Sequence, residues 1–400
     1  MSTYTVLIIL SGLVIFSYLF DLVASKTKLP SVLLLLVLGI GLRLLVDKLQ
    51  IHTYNFLQIL PTLGTVGLIL IVFEGSLELK YAKEKNKIIK GAFLSAFIIL
   101  IITVAVITFI IHQITGAELY VCFMNAIPFS VISSAIAIPS VANINKKSKE
   151  FIIYESSFSD ILGIILFNFA VSNQQITVGS FGQLAINTIL ILILSVVACI
   201  TLLYLMGRLK HHIKFFLIIS ILILMYAIGQ SFHLSALILI LSFGLFLNNA
   251  EAIKHAWFRS VFIYKNLSND LTQLHQLSAE TAFIIRTFFF VIFGFTMNIY
   301  QLNNFILIAN GLIILGSIYV IRFAYLYFFK RENTVPEGFV TPRGLISILI
   351  YYNLPQHLKL MEIGTPFLFL VVLGSSLVMS IGLMSTKKKE LETPANHEAL

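Results

Sequence analysis

Residues 151–167 read FIIYESSFSDILGIILF, an apolar run that carries Glu155, Ser156 and Asp160 in its interior. A carboxylate at the centre of a membrane-spanning helix of about 20 residues costs several kcal/mol unless something binds it, pairs it or protonates it. Asp160 therefore marks a site that can hold either a proton or a metal cation. Ser156 precedes it by four residues and stacks on the same helix face. Together they offer a hydroxyl and a carboxylate to one hard cation, and such cations prefer oxygen ligands. Glu155 points about 100° away and needs a different partner.

The rest of the chain fits a membrane setting. Of 400 residues, 58% are hydrophobic and 11% charged, against about 25% charged in soluble domains. The mean hydropathy is +0.97. This composition predicts an all-α polytopic membrane protein with the lipid bilayer as its surroundings. Thirteen transmembrane helices are expected, at approximately 4–25, 30–46, 60–78, 91–112, 119–142, 151–171, 182–206, 214–229, 232–248, 279–299, 303–329, 339–354 and 363–385. The first apolar stretch lacks a basic n-region and a cleavage site, and is expected to be a retained helix.

Lys and Arg alternate between loops. Twenty-one fall on one side, three (Arg43, Lys48 and Lys359) on the other, and three (Arg286, Arg322 and Arg343) within spans. By the positive-inside rule the N-terminus is outside and the C-terminus cytoplasmic, which an odd number of spans requires. The expected location is the cell inner (plasma) membrane. The net charge of +9 reflects topology, and nucleic acid is not an expected partner.

A single transmembrane domain is expected over residues 1–386, followed by a short cytoplasmic tail, 387–400, that is polar and expected to be disordered. The longest polar stretch, 249–279, mixes Lys, Asp, Asn and Gln with Trp257, Phe258 and Phe262 and reads as an amphipathic cytoplasmic connector. Two spans are interrupted. The fifth carries Pro128 and Pro139 around Ser133 and Ser134, and the twelfth opens with Gly338, Thr341, Pro342, Arg343 and Gly344. Broken segments seven spans apart point to two inverted six-helix repeats, with an ion site near the midplane. Repeat one covers about 4–171, the span at 182–206 is the linker, and repeat two covers about 214–385. Proline and glycine are, however, common in membrane helices generally.

Other charges inside spans need partners. Arg322, in IYVIRFAYLYF, is the candidate for Glu155; alternatively it snorkels to the cytoplasmic surface near Lys330. Glu74, in LILIVFEGSLELK, is either a second acid at the ion site or an interfacial residue. Arg286 lies close to Glu280 and is expected to reach back to water. Cys122 and Cys199 are expected to be inert packing residues. No HExxH, Walker A or GxSxG element is present, so a membrane-embedded enzyme has no support.

With these residues in view, the chain resembles the monovalent cation:proton antiporters, in their bacterial sodium/proton exchanger branch. FEGSLEL (73–79) is similar to the family's third-span acidic element. SVISSAIAIPSV (130–141) occupies the place of the first broken helix, and ESSFSDILGIILF (155–167) resembles the Glu-Ser-x-x-Asn-Asp helix. RTFFFVIFGFTMN (286–298), a helix with the lone Arg322, and TPRGLISI (341–348) match the closing elements in order. Two elements depart: Ser159 stands where relatives carry Asn, and Ser133, Ser134 and Ala135 stand where they carry Thr-Asp-Pro.

The resemblance implies that Asp160 alternately binds proton and cation, with sodium held at Asp160 and Ser156. Glu74, Ser133 and Ser159 are further candidate ligands, Ser133 through a nearby main-chain carbonyl. Glu155 and Arg322 form a structural ion pair. Ser134, Pro139, Pro342 and Arg343 belong to the broken helices. It also implies a homodimer and no cofactor besides the transported cation. One carboxylate exchanging one charge for another predicts electroneutral 1:1 exchange, with Asp160 the point of competition. Potassium/proton exchange, sodium-coupled carriage of an organic anion and a non-transporting membrane sensor stay open as alternatives.

Overall fold

The computed structural model describes residues 3–27, 30–48, 59–79, 83–141, 144–173, 178–208, 215–231, 236–253, 255–264, 266–297, 304–330 and 335–392. Among them every regular element is helical. In chain order the helices are α1 (Thr3–Thr27), α2 (Ser31–Lys48), α3 (Ile59–Glu78), α4 (Asn86–Thr115), α5 (Leu119–Ser130), α6 (Ser134–Ser140), α7 (Lys146–Ser172) and α8 (Val178–Arg208). There follow α9 (Phe215–Ser231), α10 (Ala236–Asn249), α11 (Ala256–Phe262), α12 (Leu267–Phe295), α13 (Phe305–Tyr325), α14 (Leu345–Asn353) and α15 (Thr365–Glu392).

Every hydrophobic segment read from the sequence overlaps a helix or a helix pair. Among the described residues, six stretches are by length and composition sufficient to cross a bilayer: α4, α5 with α6, part of α8, α12, α13 with the turn after it, and part of α15. The α5–α6 stretch is 83% buried inside the protein, against 28% for the α13 stretch. An apolar helix so enclosed is a structural centre rather than a lipid-facing wall. Its interruption falls at Val131–Ser133, between Pro128 inside α5 and Pro139 inside α6.

The amphipathic connector 249–279 is largely helical, since it contains α11 and the first turns of α12. One boundary differs from expectation. The expected disordered tail begins as helix, because α15 continues through Lys387–Lys389 to Glu392; residues 393–400 lie outside the described residues.

The chain forms two compact units. The first comprises Met1–Leu60, Ile88–Asp160 and Thr287–Leu400; the second comprises Pro61–Lys87 and Ile161–Arg286. In the first, α2 and α12 cross at two glycines. A Cβ on Gly39 would collide with the Val291 carbonyl, and one on Gly294 with the Leu36 carbonyl. Small residues that let two backbones approach are how membrane helices gain packing contacts, since lipid offers no hydrophobic drive between them.

In the second unit α10 packs on α8, α9 and α3. A Cβ on Gly244 of α10 would overlap the Ser76 hydroxyl, and Phe243 lies 6.0 Å from Phe73, ring to ring. Ser195 of α8 donates to the Leu239 carbonyl at 3.1 Å. At the end of α10, the Asn248 amide donates to the Leu77 carbonyl at 2.6 Å and the Asn249 amide to the Leu79 carbonyl at 3.1 Å. These two amides satisfy carbonyls at the C-terminal end of α3 that have no intrahelical donor.

Candidate functional site

Two extended breaks meet in the first unit. Val131, at the end of α5, has φ −83° and ψ 128°, and Ser133, which opens α6, has φ −82° and ψ 115°. Two β-branched residues, Val131 and Ile132, followed by two serines suit extended backbone better than helix. Residues 340–344 form the second break, ahead of α14. The Ser133 N–H donates to the Pro342 carbonyl at 2.9 Å. Gly344 passes so close that a Cβ there would stand 2.6 Å from Ser133 Oγ and 2.7 Å from Ile136 Cδ1.

Breaking a helix exposes donors at one new end and acceptors at the other. Asp160 of α7 meets the donor end: its Oδ2 accepts from the Ser134 N–H, the first of α6, at 3.1 Å. Arg343 meets the acceptor end. Its Nε donates to the Phe129 carbonyl at 2.6 Å and its Nη2 to the Ser130 carbonyl at 3.5 Å, both in the last turn of α5. Its Nη1 donates to the carbonyl of Thr341 at 2.8 Å, within its own break, and also to the Thr341 hydroxyl. The Arg343 N–H donates to Ser375 Oγ of α15 at 2.9 Å. Anion at a helix start and cation at a helix end both oppose the partial charges found there. Asp160 and Arg343 are 7% and 0% exposed.

The carboxylate is half used. Asp160 Oδ1 is buried and has no hydrogen-bond partner, and Ser133 Oγ is in the same condition. The Ser133 carbonyl is occupied, accepting from Ala137 N–H at 3.0 Å and Ile136 N–H at 3.4 Å as α6 begins. Ser156 donates its proton back to the Ile152 and Ile153 carbonyls at 2.8 and 3.3 Å, which leaves its lone pairs as acceptors. Ser159 Oγ accepts from the Ile132 N–H at 2.9 Å and so ties α7 to the first break. Pro139 lies exposed within α6, and Pro342 supplies the carbonyl that joins the breaks.

Glu155 and Arg322 lie together. Arg322 Nη2 donates to Glu155 Oε2 at 2.6 Å while Nη1 donates to Oε1, a two-pronged contact with both residues at 1% exposure or less. Arg322 does not snorkel. Its Nε and Nη2 also donate to the Glu337 carbonyl at 3.2 and 3.1 Å, so it holds the segment that leads into the second break.

Glu74 and Arg286 form a pair in the second unit. Arg286 Nη2 donates to Glu74 Oε2 at 3.1 Å, with side chains 12% and 15% exposed. The expectation that Arg286 returns to water is corrected: a carboxylate facing it from α3 neutralises it at less desolvation cost than an unpaired charge would carry. Sequence reasoning also missed Ser95 of α4, whose hydroxyl donates to Glu155 Oε1. Its signal was present in the small residues Ala92, Ser95 and Ala96, which mark a close helix approach. Asn125 was missed too. It donates to the Leu358 carbonyl at 2.7 Å and accepts from the Leu360 N–H at 3.4 Å, pinning the α14–α15 loop to α5. Cys122 and Cys199 are free and buried.

Two helix breaks thus meet beside a buried carboxylate, in an apolar chain whose described elements are all helical. Residues 10–387 match the family described as sodium/hydrogen exchanger, transmembrane, and the chain belongs to that family. Its fold is similar to that of the sodium proton antiporter MjNhaP1 from Methanocaldococcus jannaschii. A structure of that protein at pH 8 aligns with TM-score 0.73 and 18% identity, covering 97% of this chain and 100% of that one. A second, from a three-dimensional electron-microscopy map, aligns with TM-score 0.73 and 18% identity over 100% of both chains. No curated protein matches the chain by sequence. The family is one of transmembrane exchangers.

Proposed function

We propose that the protein exchanges a monovalent cation, sodium in the first place, for protons by competition at Asp160. The observation that carries this reading is the half-used carboxylate: Oδ2 is held by the Ser134 N–H, while Oδ1 is buried and unpartnered. A buried oxygen with no donor is stabilised by taking either a proton or a cation, and not both at once. Ser133 Oγ and the Ser156 lone pairs are the proposed additional ligands. Ser159 acts by holding the break in place.

Each carrier delivers one positive charge to one carboxylate, so the exchange is electroneutral and 1:1. Two inverted repeats across thirteen spans, with the N-terminus outside and the C-terminus cytoplasmic, would expose the site alternately to each face of the plasma membrane. A homodimer is the proposed assembly. Potassium is the second reading. Where relatives carry acid and amide, this chain places the neutral hydroxyls of Ser134 and Ser159, and weaker ligand fields discriminate less against the larger ion.

Proteoliposomes with an imposed pH gradient test the proposal. Sodium should dissipate the gradient at the same rate whether or not the membrane potential is clamped. Acceleration by the clamp would reject the 1:1 stoichiometry, and dissipation by potassium but not sodium or lithium would select the second reading.

A further inference from the structure

Trp257 is the only tryptophan in the chain, and it stands out on α11. It and Val261, one turn later, are 63% and 47% exposed. The adjacent face of the helix is turned inward. Phe262 is 8% exposed, and the rings of Trp257 and Phe258 pack on it at 5.8 and 5.1 Å. The end of the segment is latched as well: the Tyr264 hydroxyl donates to Asp270 Oδ2 at 2.6 Å, and its ring lies against Gly207 near the end of α8. A short helix held on one side thus presents tryptophan and valine on the other.

Its direction is informative. The axis of α11 is bent by 110° from that of α10 and the turn after it, which is 20° from perpendicular. The chain therefore turns sharply between α10 and α11. Between Asn249 and Asn266 the chain carries Lys254, Arg259 and Lys265 against Glu251 alone, and Arg259 is exposed. Exposed tryptophan and exposed arginine on a short helix, within a stretch of net positive charge, is the composition of segments seated about 5–10 Å into the boundary between headgroups and acyl chains. Basic residues there are attracted to anionic lipid.

We propose that α11 docks on anionic phospholipid headgroups, on the bilayer face that carries the basic loops, with Trp257 and Val261 inserted among them. The inference is independent of the transport reading. Because the protein has one tryptophan, its intrinsic emission reports position 257 alone. The test reconstitutes the full chain in phosphatidylcholine vesicles containing a fixed fraction of brominated phosphatidylglycerol or brominated phosphatidylcholine. Emission should be lost to bromines near the headgroup end of the acyl chain, more so on phosphatidylglycerol, and should resist aqueous iodide. Arg259→Gln should reduce the difference between the two headgroups while leaving the emission maximum in place. Quenching by iodide without quenching by bromine would overturn the proposal in favour of water or a protein partner. Stronger quenching by bromines near the chain terminus would place Trp257 in the hydrocarbon. Equal quenching by both headgroups would remove the anionic lipid.

Discussion

Arg322 grips both oxygens of Glu155 and, with the same guanidinium, the main-chain carbonyl of Glu337. One buried side chain therefore links the helix that bears Asp160 to the segment entering the second break. Only arginine offers such a planar fork of donors, and lysine would reach one acceptor where arginine reaches several.

Breaking this pair from one side leaves a buried charge. Glu155→Gln or Arg322→Gln is expected to lower stability by about 3–5 kcal/mol, read as a fall in unfolding temperature in detergent. The double substitution should recover part of the loss, because it removes both charges. Strict additivity of the two single losses would mean the residues are not coupled.

The Arg343 guanidinium donates to carbonyls and a hydroxyl drawn from the end of α5 and from its own break. Arg343→Lys keeps the charge and loses the reach. Exchange should fall by at least tenfold while the variant still inserts and purifies. Wild-type exchange would show that charge alone is sufficient at this position.

Gly344 fits only because it lacks a side chain. Gly344→Ala should cost about 1–3 kcal/mol through overpacking against Ser133 and Ile136. Adding Ser133→Gly removes the nearer obstacle and should restore part of the unfolding temperature. No restoration would show that the two breaks do not press on each other there.

The pairing of Glu74 with Arg286 separates two roles. Glu74→Gln should destabilise by about 1–3 kcal/mol, since it leaves a mostly buried guanidinium short of a partner. If Glu74 is also a ligand, the sodium concentration for half-maximal exchange rises in the same variant. Loss of stability with unchanged sodium dependence would confine it to a structural role.

How much of this was legible beforehand depends on the range of the interaction. Apolar runs, prolines and the serine pair at 133–134 act locally, and they located the helices and the first break. A lone charge in an apolar span demands a partner, and that reasoning paired Glu155 with Arg322. It would equally have paired Glu74 with Arg286, 212 residues apart, had Arg286 not been assigned to water. The grip of Arg343 on the α5 carbonyls was not legible. Main-chain acceptors leave no trace in residue identity, and only the folded crossing shows which ones are orphaned.

Asp160 carries the central claim. Asp160→Asn keeps size and shape and removes the group for which proton and cation compete. Reconstituted beside wild type with an imposed pH gradient, the variant should show no cation-dependent proton movement while its unfolding temperature stays near that of wild type. Sodium-dependent dissipation at the wild-type rate would contradict the account.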